Sequence, residues 1–280
     1  MTDVLNKVDN MLTDEVLSAF IQAVLVEQAV LMPSILDRSA DAAQGVSSIR
    51  IGRRGKLSAE SKSEDGSYTA KEFEWSEDKL ELNKQEGVYV EVSDLGDIQS
   101  ALANEPAILQ ASAEALVESL EKKIIAELKK CSDDAPDHQI NWATASTIAL
   151  DDILEARQLL REANVPMNGM DNFIAISPAQ EKQMLKMDSF IDASKYGSPD
   201  VLLNGEIGKV FGFRVLVSNH VDANEAVIYN REHVAFARQE AINFDSQKFL
   251  KEGKTGYRLQ TTYGLKVLDD GKRGVLLENA

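Results

Sequence analysis

The sequence predicts an α+β protein built around one long amphipathic helix, and three observations predict it. Leu109, Ala113, Leu116, Leu120, Ile124 and Leu128 recur at three- and four-residue steps, which places them on one stripe of a helix from about Pro106 to Lys130. Before it, Ile49 to Val92 reads as extended chain with too few apolar side chains for a core of its own. After it, helix, strand, helix, strand and strand follow one another between Ser146 and Tyr229, and the chain then returns to β.

Residues 1–48 read as an arm with helical character. Thr13 is a candidate N-cap with Asp14 and Glu15 in the first turn, and Val16, Phe20, Ala23 and Val24 share a face. Pro33, Asp37 and Gly45 break the pattern. That stripe packs either on its own domain or on an adjacent subunit. Ile49 to Leu57 alternates weakly and carries Arg50, Arg53, Arg54 and Lys56 in a chain of net charge −16. Asp65-Gly66 marks a turn, and the return strand carries Phe73 and Trp75 between Glu72, Glu74 and Ser76. Val88, Val90 and Val92 form a firmer strand that closes this extended loop. A lone two-stranded hairpin is marginal in water, so this one lies on the body or reaches a neighbour. The plainer alternative is a solvated hairpin whose charges do nothing specific. The basic strand suits a carboxylate-rich surface of a second copy. Arg50, Arg53, Arg54, Lys56, Phe73 and Trp75 are therefore the candidate intersubunit contacts.

In the long helix, Asn104 can cap and Pro106 suits the first turn, where its missing N–H had no partner. Glu114, Glu118, Glu121, Lys122 and Lys129 are expected off the stripe. At 1.5 Å per residue the helix is ~37 Å long, a scaffold along which other elements lie. The polar stretch Cys131 to Trp142 marks a boundary. Beyond it, Ser146 starts a helix ending near Asn164, and Phe173 to Ile176 is a short buried strand. Ser177-Pro178-Ala179-Gln180 is a capping box opening a helix to about Met187. Phe213 to Val217, Ala226 to Tyr229, Thr255 to Val267 and Val275 to Glu278 are strands, the last two joined by a turn at Asp269 to Gly274.

Composition excludes several classes. No apolar run reaches the roughly 18 residues needed to span a bilayer, and the N-terminal Met1-Thr2-Asp3 lacks a basic signal start. Cys131 is the single cysteine, so no internal disulfide forms. The acidic balance repels nucleic acid overall, because DNA affinity comes from cations neutralising phosphates.

Recognisable chemistry also fails on inspection. Gly253-Lys254-Thr255 has the tail of a phosphate-binding loop, but Lys248 stands where the first glycine belongs and a strand follows. Gly205, Gly208 and Gly212 lack dinucleotide spacing and lead into a strand, so they read as tight backbone turns. His138, His220 and His233 are far apart with no partner at metal spacing. Carboxylates are abundant and any pair could meet in space, so a hydrolase stays open, but nothing in the residues selects a catalytic group, a cofactor or a metal.

Three stretches, in this order, resemble the major capsid proteins of tailed bacteriophages with the Hong Kong 97-type fold. They are Leu80 to Asp94 leading into the long helix, Asn204 to Val215 with its Gly-x-Ile-Gly…Gly approach to a strand, and Arg258 to Leu277 with Tyr263-Gly264. The resemblance implies an N-terminal arm (1–48), an extended loop (49–92), a peripheral domain with the spine helix (93–142 and 244–280) and an axial domain (143–243). It implies a virion shell protein that forms hexamers and pentamers around double-stranded DNA, without sequence-specific contact. Its implied partners are itself, a scaffolding protein encoded separately, a portal protein and a decoration protein, with assembly in the host cytoplasm and no membrane. The rival readings are an encapsulin-like compartment shell and a soluble α/β enzyme with a carboxylate site.

Overall fold

A computed structural model of the chain describes residues 29–43, 45–54, 57, 59–62, 67–72, 75–93, 104–134, 136–142, 147–167, 171–186 and 208–278. The helix expected at residues 13–24, the side chain of Arg54, Lys56, Phe73 and residues 187–207 lie outside that description.

Helix α1, Asn104–Leu128, carries the predicted stripe: Leu109, Ala113, Leu116, Leu120, Ile124 and Leu128 are all buried, joined by Val117 and Ile125. It is displaced two residues toward the N-terminus from the expected range. At its C-terminal end the Lys130 and Cys131 amides fold tightly onto the carbonyls of Glu127 and Lys129 and stop it.

The helix packs with a four-stranded sheet of order β1-β10-β11-β4, made of β1 (Leu36–Asp37), β4 (Lys84–Ser93), β10 (Val234–Phe249) and β11 (Lys254–Val267). Phe236, Phe244, Leu259, Tyr263 and Leu265 meet the helix stripe in one core. Two ion pairs of opposite sense tie helix to strand, Glu127 with Lys84 at 3.5 Å and Lys123 with Glu86. Strand β4 is antiparallel to β11 from Lys84↔Tyr263 to Ser93↔Lys254, so it belongs to this sheet and not to the polar loop before it. The sixteen residues of β10 were not expected as a strand. Register shifts between Arg238 and Asn243 interrupt the two-residue period there.

A second, six-stranded sheet has the order β5-β12-β9-β6-β8-β7. Its strands are β5 (Gln139–Asn141), β6 (Asn172–Ile176), β7 (Lys209–Val210), β8 (Phe213–Val217), β9 (Glu225–Asn230) and β12 (Gly274–Glu278). Helices α2 (Leu150–Glu162) and α3 (Pro178–Leu185) cover one face, with Ile153, Ala156, Leu160 and Met184 against Ile174, Ile228, Val275 and Leu277. The other face, through Phe173, Val227, Tyr229 and Leu276, joins the core of α1. The closing strand β12, expected among the peripheral elements, lies between β9 and β5 instead.

Local sequence explains the ends of these helices. Ser177 accepts from the Gln180 amide, and Gln180 returns a side-chain oxygen to the Ser177 amide at 2.9 Å, completing the predicted capping box. Helix α2 starts at Leu150, and the Asp152 carboxylate accepts from the Ala149 amide at 3.0 Å. Asn164, with φ 61°, ends it in the left-handed region.

Candidate assembly surfaces

The polar loop forms an antiparallel ladder of β2 (Ser48–Arg54) and β3 (Trp75–Glu81), registered from Ser48↔Glu81 to Arg54↔Trp75. Its base is apolar and seated: Ile49, Leu80 and Leu82 are buried against Ala235, Ala237 and Leu268 of the body. Gly264 makes room for this crossing, since a Cβ there would collide with the Glu81 carbonyl oxygen. The far end is different. Trp75 is 70% exposed, and Tyr68 and Leu57 are exposed as well. Large apolar side chains carried outward on a polar hairpin are what an intersubunit contact needs.

The basic residues divide. Arg50 is exposed and pairs at 3.4 Å with Glu77 across the ladder, so it remains on the outer surface. Arg54 pairs through its backbone with Trp75. Arg53, expected to face a neighbour, is instead engaged within its own chain. Its Nη2 donates to Asp78 Oδ1 at 2.9 Å, and its Nε lies 2.9 Å from Asp78 Oδ2. Nη1 donates to Asp269 Oδ1 and to Asp270 Oδ2, both at 3.0 Å. The Asp269 amide in turn donates to Asp78 Oδ2 at 3.1 Å. The network continues from Asp269 to Arg273 Nε at 3.1 Å and from Arg273 to Glu232. The hydrogen bond from Arg53 holds Asp270 below the usual carboxylate pKa. At Asp269 burial opposes the charge, yet the hydrogen bonds from Arg273 and Arg53 outweigh it and the pKa is lowered. Sequence reasoning missed this cluster because its acids lie 25 and more than 200 residues from Arg53.

The described part of the arm, from residue 29, packs on its own chain. Leu31 and Ile35 enter the main core, Ser34 and Tyr229 share a hydrogen bond of 2.6 Å, and β1 runs parallel to β10. Its anchor is Glu121, expected on the solvated face of α1 but only 5% exposed. Oε1 accepts from the amides of Val30 at 2.6 Å and Leu31 at 3.0 Å, and Oε2 accepts from Ser218 Oγ at 3.4 Å. A carboxylate enters the core side here because backbone donors await it.

The polar residues set aside on sequence grounds have structural places. His233 is fully buried, with Nε2 3.1 Å from the Leu128 carbonyl oxygen, an acceptor left open by the end of α1. Burial lowers its pKa to about 4. His138 Nδ1 lies 2.8 Å from the Gly274 carbonyl oxygen. Burial pushes the Cys131 thiol well above its ordinary pKa, the opposite of a reactive thiolate. Gly253 forms the β10–β11 turn and Lys254-Thr255 begin β11, so no helix N-terminus faces that segment. Phe211 and Gly212, with φ 48° and 93°, make the two-residue turn between β7 and β8. Among the described residues no group of His, Cys, Asp and Glu is placed to hold a metal, and no helix is long and apolar enough to cross a membrane.

An arm seated on a spine helix, a projecting hairpin, a long sheet and a six-stranded α/β domain together make the Hong Kong 97-type fold, whose subunits build phage capsids. Solved structures share it. A chain from Mycobacterium phage Che8 superposes with a TM-score of 0.71 at 18% identity, covering 89% of this chain and 91% of that one. A chain of the cyanophage P-SCSP1u capsid gives 0.70 at 15% identity, covering 88% and 86%. The virus-like particle from Pyrococcus furiosus gives 0.60 at 13%, covering 95% and 99%. No curated protein sequence matches. The phage capsid protein family model matches residues 81–276, and the chain belongs to that family. It is a major capsid protein of the tailed-phage kind, a structural subunit of a shell made of copies of itself.

Proposed function

We propose that this subunit assembles into hexamers and pentamers of an icosahedral shell that encloses double-stranded DNA. The extended loop and the arm (1–48), beyond the arm's own seat on this chain, contact adjacent subunits; the peripheral domain carries α1 and the long sheet with β10 from Val234, and the axial domain (about 143–233, with β12) gathers around the symmetry centres. The carrying observation is the hairpin: its base is buried on its own body while Trp75 at its far end is exposed. Many such modest contacts add up across a shell, so avidity replaces any single tight interface. The net charge of −16 leaves the wall unattractive to packaged DNA. A scaffolding protein, a portal protein and a decoration protein are the expected partners, with assembly in the host cytoplasm before the subunit resides in the virion. The family match favours this reading over a compartment shell or an enzyme.

Electron microscopy of the purified protein, alone and with its scaffolding protein, tests the proposal. Closed shells are expected from the wild type, and Arg50→Glu with Trp75→Ser reduces them while the subunit stays folded. Absence of shells, rings and tubes under every condition would sink it.

A further inference from the structure

The turn between β11 and β12 holds Asp269 and Asp270 at φ 55° and 50°, followed by Gly271 at 77°. Side chains other than glycine seldom adopt that region, because Cβ crowds the following carbonyl. Such conformations persist where the surroundings over-determine them. Here the surroundings act from two sides. A Cβ at Gly271 would lie 2.6 Å from the Lys130 carbonyl oxygen, and the Gly271 carbonyl accepts from the Ser132 amide at 3.2 Å, so the turn is wedged against the chain leaving α1. On the opposite side it presents two carboxylates to Arg53 and one amide to Asp78, both residues of the hairpin. The exchange is reciprocal: each partner gives donors and receives them.

The hairpin thus has two attachments. Ile49, Leu80 and Leu82 sit at the body end of the ladder, and Arg53, paired with Ser76, sits one position from its far end. Apolar burial holds the base down without fixing its direction, because it is non-directional. A planar guanidinium between three carboxylates is directional. Two attachments along one ladder define an angle.

We propose that the Arg53–Asp78–Asp269–Asp270 cluster is an angle-setting clamp that fixes the direction in which the hairpin leaves the subunit, and thereby the curvature at which copies join. Arg53 is a positioning residue: it acts through the hairpin and leaves contact with the neighbour to the exposed residues beyond it. With the clamp closed, the hairpin of every subunit leaves within a narrow range of directions, which limits the curvatures at which copies join. With the clamp open, the apolar base still holds the hairpin, but its direction varies from copy to copy.

The consequence for curvature rests on the shell-forming reading above; the angle itself does not. Spin labels at Glu72→Cys, beyond the ladder, and Glu155→Cys, on the exposed face of α2, report the angle in the unassembled subunit by pulsed electron resonance. Native Cys131 is only partly buried and is first replaced by alanine, so that only the two introduced thiols take label. The wild type gives one narrow distance distribution, and Arg53→Gln and Asp270→Asn broaden or shift it. Asp270 is mostly exposed, so its variant keeps the melting temperature of the wild type and separates a change of angle from loss of the fold. A wild-type distribution in both variants overturns the clamp. Under conditions where the wild type makes uniform shells, both variants give mixed closed shells, tubes and open sheets. Uniform shells from both overturn the link to curvature, and failure of the wild type to assemble overturns the shell reading with the clamp still measured.

Discussion

Replacing Glu121 with alanine removes the acceptor that two backbone amides share, and the geometry sets the size of the loss. Oε1 is 2.6 Å from the Val30 nitrogen and 3.0 Å from the Leu31 nitrogen. Leu31 is fully buried, so its amide is stranded, while Val30 is 40% exposed and its amide turns to water. A hydrogen bond to a charged acceptor contributes about 1.5–3 kcal/mol, and a stranded buried amide costs about 1–3 kcal/mol. Relief from burying a carboxylate offsets part of this, leaving a net loss of about 2–3 kcal/mol. For 280 residues the unfolding entropy is roughly 0.6 kcal/mol/K, so the melting temperature falls by ~3–5 °C. Glu121→Gln keeps an acceptor at the same place without its charge and loses about 1 kcal/mol. Thermal and urea denaturation of the unassembled subunit measure both variants, and hydrogen exchange at Val30 and Leu31 locates the effect. Equal losses from the alanine and glutamine variants, or wild-type exchange at Leu31 in the alanine variant, would refute the anchoring role.

Two further substitutions probe the core and its pH dependence. His233 has a pKa of about 4 in the fold against an ordinary 6.5, so the unfolded chain binds its proton first as pH falls. Stability is therefore full above pH 6.5 and declines toward pH 4, by about 3 kcal/mol in total. His233→Gln flattens that decline in urea titrations between pH 6.5 and 4.5; an unchanged slope counts against a buried neutral ring. Leu116→Asp places an unpaired charge at a site 2% exposed in the main core and costs about 5 kcal/mol or more. A melting temperature within a degree of the wild type would show that the stripe faces elsewhere.

Periodicity was readable where burial repeats. The stripe of α1 and the strands at Phe173, Phe213, Thr255 and Val275 follow from alternation or helical spacing, and the Ser177–Gln180 capping box follows from two residues three apart. Strand β10 was not legible, because register shifts between Arg238 and Asn243 move its apolar residues out of phase. Glu121 misled for a related reason: helical phase places it beside the stripe, but only a distant backbone segment shows that its carboxylate has donors to meet. The basic strand was recognised as special, but the partners of Arg53 within its own chain were not legible. Its alternation distinguishes faces of the hairpin, and Arg53 is separated from Asp269 by 216 residues.

The residues by themselves determined the spine helix, the strands that follow it and the family resemblance, since all of these rest on local spacing and composition. The tertiary structure decided which parts are partners. It put β4 beside β11 and β12 beside β9, seated the arm on Glu121, and closed Arg53 onto its own subunit while leaving Trp75 exposed. The physical reason is range: a side chain's period records that it is buried or charged, and only the fold brings together the groups, two hundred residues apart, that satisfy it.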